Sequence, residues 1–187
     1  MRPFGGCGPL RLWQAAGLLL FCLSVACSPL QRPLGSAESA SSRVIKGVPF
    51  YAQQGRYDCG PAALASLLAQ RNAGVSLEQI REATYTPALQ GSLLPDLENY
   101  ARRLGYGTSS GRGDLALLRG TINAGAPLLI PLEMGRWGLT RPHYVVVFGY
   151  VGSDFVVHAG KQGRMTIAAA ELDRRWQKLN RLYLYLE

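Results

Sequence analysis

The sequence is short of the residues that most often announce a function. In 187 residues it has two histidines, His143 and His158, and four cysteines, Cys7, Cys22, Cys27 and Cys59. No metal-ligating pattern emerges from so few, and neither a metal nor another cofactor is expected. Its one strongly apolar run, "AAGLLLFCLSV" near the N-terminus, is about half of the roughly 20 residues that a bilayer-spanning helix needs. A permanent membrane helix is therefore the weaker reading. Internal repeats are absent, which excludes a solenoid or propeller. Acidic residues are also scarce, 12 against 20 Lys and Arg. The basic residues are scattered, with only Arg102-Arg103 and Arg174-Arg175 as pairs, so they read as solvated faces and no nucleic-acid partner is expected.

What the sequence does contain begins with residues 1–27. Arg2 and Arg11 precede the apolar run, and small residues lead to "ACS", which is the layout of an export signal. Two processing outcomes stay open. "LSVAC" resembles a bacterial lipobox with Cys27 as the lipidated first residue, although Ser24 stands where that motif prefers Leu or Val; "SVA" is equally a site for ordinary signal cleavage. A Cys27–Cys59 disulfide would also suit an oxidising compartment. If Cys27 carries lipid, the protein is membrane-held through that anchor, on the periplasmic side of the outer membrane. If not, it is a soluble periplasmic protein. Residues 28–44, "SPLQRPLGSAESASSRV", have the composition of a flexible tether, which leaves 45–187 as one domain. Without Arg2 and Arg11 the formal charge of +8 becomes +6.

Within that domain helices come first. "GPAALASLLAQRN" is apolar on all sides, with Pro61 suited to a first turn. "VSLEQIREA" carries a capping box in Ser76 and Gln79. "GSLLPDLENYARRLG" puts Leu93, Leu97, Tyr100 and Leu104 on one stripe, and "GDLALLRGTINAG" gives a short helix ending at glycine. The period then changes to that of strands in "APLLIPLEM", "HYVVVFGYV", "DFVVHAG", "GRMTI" and "RLYLYLE", with "VGSD" as a hairpin turn. "AAAELDRRWQKL" is a helix before the last strand. The order predicts an α+β fold with a mostly antiparallel sheet.

Cys59 stands in "RYDCGPAALASLLA", where a helix should begin. Unpaired N–H groups and the partial positive charge there favour thiolate, the nucleophilic form. The same N–H groups are placed to receive an oxyanion. Equally, a lone cysteine can be a small buried apolar residue. A nucleophilic thiol needs a base, and His143, behind Pro142 at the start of the strongest strand, faces outward from a sheet edge. Gln53, six residues before Cys59, is either polar surface or a donor to the same site.

"VPFYAQQGRYDCGPAALASLLA", "GSLLPDLENYARRLG", "LRGTINAGAPLLIPL" and "PHYVVVFGYVGSDFVV" resemble, in order, the bacteriocin-leader-processing cysteine peptidases, papain-like enzymes often fused to ABC exporters and cleaving after double glycine. The resemblance spans nearly all of residues 48–163. It implies a papain-like cysteine peptidase fold with Cys59 as nucleophile, His143 as base and Gln53, not Gln54, as oxyanion donor. It implies a peptide or protein substrate and, since the chain has no exporter or ATP-binding motif, a separate exporter as partner. One position departs from the family: where it carries an aspartate to orient the histidine, this sequence has Ala159. His158 or Asp154 is the candidate substitute. Two other functions remain open, a cell-wall peptide hydrolase, whose usual Asp-Cys-Ser-Gly is here Asp-Cys-Gly-Pro, and a non-catalytic peptide-binding module that keeps the groove.

Overall fold

β-Branched residues fill "YVVVF" and "DFVV" without the polar alternation of a half-exposed strand, so the strands they form need cover on both faces. They have it. The computed structural model describes residues 41–55, 57–134 and 142–187; the export signal, Cys27 and residues 28–40 of the tether lie outside the described residues. The chain forms β1 (Ser42–Val44), α1 (Cys59–Gln70), α2 (Leu77–Thr84), α3 (Leu94–Arg103), β2 (Thr108–Arg112), α4 (Leu115–Asn123), β3 (Leu128–Glu133), β4 (Pro142–Val151), β5 (Asp154–Ala159), β6 (Gln162–Ile167), α5 (Ala169–Gln177) and β7 (Leu182–Leu186). One antiparallel sheet runs β2-β7-β3-β4-β5-β6, with β1 added against β4. Helices and sheet together make the α+β, papain-like architecture that the sequence predicts.

Alternation along β4 divides the core in two. Val146, with Leu129 and Leu184, meets Ala63, Leu64, Leu67 and Leu97 of α1 and α3. Val145 and Val147 meet Leu118 and Ile122 of α4 and Leu172 and Trp176 of α5 on the other face. Each valine, leucine or isoleucine fully buried in this way contributes about 2 kcal/mol. Helix α1 is enclosed along most of its length, Gly60 to Leu68 all being buried, and its small residues let it lie close against β4. The capping box on α2 is formed as expected, with Ser76 accepting from Gln79 N–H and the Gln79 side chain accepting from Ser76 N–H.

Three features differ from the sequence reading. The buried stripe of α3 is Leu94, Leu97, Glu98 and Ala101. Leu93 and Leu104 are the N-cap and C-cap residues, outside the helical turns that face the core, and are exposed. Residues 42–44, assigned to the tether by composition, form β1 on Gly149, Tyr150 and Val151 of β4. Polar "TSSGR", not foreseen as a strand, pairs with β7 as β2.

Candidate active site

Gly60 determines how closely the start of α1 meets the sheet. A Cβ there would lie 3.1 Å from Ser92 Cβ, 3.2 Å from the Tyr144 ring and 3.3 Å from Leu97. Only hydrogen fits without a shift. That approach puts the half-buried Cys59 thiol beside β4, where the Tyr144 backbone, together with those of Gly60 and Cys59 itself, favours thiolate by hydrogen bonding. Burial is the largest influence and acts the other way, and the neighbouring Asp58 carboxylate adds to it, so the thiol is held above its ordinary value of 9.0. The sequence reading of a thiolate at a helix start thus meets a stronger opposing effect. Asp58, in the N-cap place, makes no side-chain cap to α1; its carboxylate accepts from Gly55 N–H at 2.6 Å.

His143 lies opposite Leu132 on β3 and shares with Cys59 the wall of a cleft of about 740 Å³, closed on its other sides by Gln90 to Leu93 and by Leu179 and Asn180. Burial lowers its imidazole below the ordinary 6.5. Its Nε2 stands 3.6 Å from where a Cβ on Gly160 would be. Gln53 reaches the same turn, its backbone N–H donating to the Gly160 carbonyl at 3.0 Å, and lines a small void with Cys59, Tyr144 and Gly160. Gln53 is half-buried and Gln54 exposed. His143 Nε2 and the Gln53 backbone thus both lie near Gly160, and Cys59 shares the cleft wall with His143 and the small void with Gln53 and Gly160. The φ of +58° at Gly160 suits glycine.

The three remaining positions separate. Ala159 pairs with Val145, two residues along β4 from His143, so a side chain at 159 is the diagonal neighbour of His143 on one sheet face. Here it is a methyl group. His158 pairs with Val146 and so faces the opposite side, where its ring stacks on Phe148 at 4.2 Å and lies 5.3 Å from Phe50. Its Nε2 is 3.2 Å from the Val48 carbonyl oxygen; a carbonyl only accepts, so the proton is on Nε2. Asp154 is at the far tip of the β4–β5 hairpin, opposite Val151, where it accepts from the Ser153 hydroxyl. Neither is brought to the ring of His143. Among the described residues no group of three His, Cys, Asp or Glu is arranged for a metal ion, and no helix is long and apolar enough to cross a membrane.

Sequence reasoning had no means of finding Tyr144 or Gly160. Tyr144 contributes a backbone group, invisible to side-chain chemistry, and its phenol is itself pushed well above the usual tyrosine range by burial and by the neighbouring Cys59 and Asp96. Gly160 acts through a turn whose position depends on strand register.

The sequence model of the Peptidase C39 family matches residues 47–183. The chain belongs to the Peptidase C39 family. Similar solved structures agree with this C39 membership in fold. A putative C39-like peptidase from Bacillus anthracis is 13% identical with a TM-score of 0.65, covering 79% of this chain and 98% of that one. A double glycine motif protease from an AMS/PCAT transporter, in complex with its leader peptide, is 24% identical with a TM-score of 0.60 over 78% of this chain and 98% of its own. The peptidase domain of Streptococcus ComA, a bi-functional ABC transporter involved in a quorum-sensing pathway, is 23% identical with a TM-score of 0.64, over 74% and 97%. No curated protein matches the sequence. C39 proteins are cysteine peptidases, which gives this chain a peptidase-type function.

Proposed function

We propose that this C39 protein is an exported cysteine peptidase that cleaves a peptide or protein at the cell envelope, with Cys59 as nucleophile, His143 as base and Gln53 as oxyanion donor. The observation that carries the reading is that Cys59 lines the cleft with His143 and the small void with Gln53, while Gly160 lies beside both the His143 ring and the Gln53 backbone. With the thiol raised by burial and the imidazole lowered, the resting pair is neutral. The thiol proton then passes to His143 as sulfur attacks the carbonyl carbon, and the carbonyl π electrons move to an oxyanion met by the Gln53 amide and the Cys59 N–H. Collapse expels the amine, protonated by the imidazolium, and leaves an acyl-enzyme. Water, deprotonated by His143, hydrolyses it.

The leader-peptide complex of one relative and the transporter setting of another support a peptide substrate and a separate exporter as partner. The "LSVAC" string supports lipidation at Cys27, and Ser28 in place of aspartate supports retention at the outer membrane of a two-membrane bacterium. Mass spectrometry of the mature N-terminus tests this: a diacylated Cys27 is expected, and an unmodified one refutes the anchor. For the peptidase, Cys59→Ala and His143→Ala are each expected to lower cleavage of a double-glycine leader peptide on the order of 10⁴-fold with the fold intact by circular dichroism. Retained turnover in either variant refutes the pair. The methyl group at Ala159 and the raised thiol favour a second reading, a peptide-binding module that keeps the groove. That reading predicts leader binding by calorimetry equal in wild type and Cys59→Ala, without cleavage in either.

A further inference from the structure

The segment that carries Gln53 reaches the site without secondary structure of its own. From Val48 to Gln53 it runs against β5, β6 and the turn between them, and its described backbone tie at the Gln53 end is Gln53 N–H to the Gly160 carbonyl. Val48 and Tyr51 of the arm pack against the core on the α1 side, and His158 adds a directed hold. Nε2–H donates to the Val48 carbonyl at 3.2 Å, and the ring sits between Phe148 of β4 and Phe50 of the arm itself. Phe50 in turn lies 3.5 Å from where a Cβ on Gly163 would be, so the arm lies against both β5 and β6, which pair with each other. His158 and Gln53 both line the small void that ends at the Cys59 thiol. His158 is thus buried, aimed at the arm and turned away from His143, a placement that a substitute for the missing aspartate would not have.

We infer that His158 is a positioning residue for the oxyanion donor: by gripping Val48 and Phe50 it fixes the arm so that Gln53 is presented to the tetrahedral adduct on Cys59. The inference rests on the peptidase reading above. It assigns His158 an effect on bond-making at a carbonyl, and none on the intrinsic reactivity of the thiol.

Two probes separate those effects. Acetyl-glycyl-glycinal adds to Cys59 as a hemithioacetal: the S–C bond forms, the C=O π bond breaks, and the thiol proton moves through His143 to the new oxygen, which occupies the oxyanion site. Iodoacetamide alkylates the same sulfur with loss of iodide and forms no oxyanion. In His158→Leu, which keeps bulk and loses the donor, affinity for the aldehyde is expected to fall ten- to a hundredfold, the order of effect of a misplaced or missing donor. The iodoacetamide rate at fixed pH should stay within about twofold, while exchange of the Gln53 amide hydrogen accelerates. His158→Gln, whose Nε2 can still reach Val48, should restore most of the affinity. In a Gln53→Ala background His158→Leu should cost nothing further, because the donor it positions is gone. If His158→Leu does not fold, Phe50→Leu removes the ring contact and is expected to give the same split. Unchanged aldehyde affinity in a folded variant with a loosened arm overturns the inference, as does an additive effect in the Gln53→Ala background. Failure of the wild-type thiol to form the adduct while iodoacetamide still alkylates it overturns the peptidase reading itself.

Discussion

At the Cys59 sulfur, burial and the Asp58 charge oppose three backbone hydrogen bonds and prevail. His143, lowered by burial, is neutral above its own depressed value. Shifts in these directions favour the neutral thiol and the neutral imidazole, and thiolate accumulates only as pH rises past the ordinary thiol range. Iodoacetamide alkylation followed against pH is expected to climb continuously, with a midpoint above 9.0. A plateau through neutral pH would mean an ion pair and would refute this account. An opposite charge within reach of an imidazole favours its protonated form, and Ala159 supplies none. Ala159→Asp supplies that charge diagonally across from His143. Its expected result is a higher His143 titration midpoint by nuclear magnetic resonance and faster cleavage at neutral pH. A midpoint that does not move would show that position 159 is not where the orienting group belongs.

Elements with strong local signals were legible from the sequence. The capping box of α2, whose hydrogen bonds close within three residues, and the valine run of β4, whose composition alone marks a buried strand, are examples. β1 and β2 were not, since "SRV" and "TSSGR" carry no apolar alternation and become strands only by lying along β4 and β7. The site divides in the same way. Cys59, Gln53 and His143 were singled out as candidates through a helix start, a strand start and a family resemblance. The separation of His158 from Ala159 required strand register, and the tie from His158 to Val48 spans 110 residues of sequence. Close packing of α1 on β4 gives a prediction at this scale. Gly→Ala in a helix ordinarily stabilises by up to about 1 kcal/mol, but at Gly60 the new methyl meets three side chains at 3.1 to 3.3 Å. Overpacking of that kind costs about 1–3 kcal/mol. Gly60→Ala should lower the urea midpoint and move Cys59 away from the Tyr144 backbone; an increase in stability would mean that α1 has slack the packing does not show.

For the molecule as a whole, the two imidazoles make acid a threat to the fold. Both have folded-state values below the ordinary 6.5, His143 through burial alone and His158 mainly through burial, with Arg164 adding to the effect and the backbones of Val48 and Gly163 opposing it. The unfolded chain therefore takes up protons that the folded one resists. Stability should be complete above pH 6.5 and fall as pH drops below it toward the folded values. Urea unfolding between pH 7 and pH 5 checks this: a declining midpoint is expected, with a shallower decline in His158→Gln, and a flat profile in wild type contradicts it. The way the chain enters this fold has a mechanical consequence. Gly152 N–H donates to Ser41 O at 3.2 Å, β1 pairs with β4, Ile45 N–H donates to Phe148 O at 2.9 Å, and His158 then holds Val48 before the chain reaches Gln53. A pull from the N-terminal side is borne by these bonds one after another, as load on a rope passing several cleats. The segment that carries Gln53 lies behind the last of them, so a pull on residue 41 is spent on the sheet before it reaches that segment.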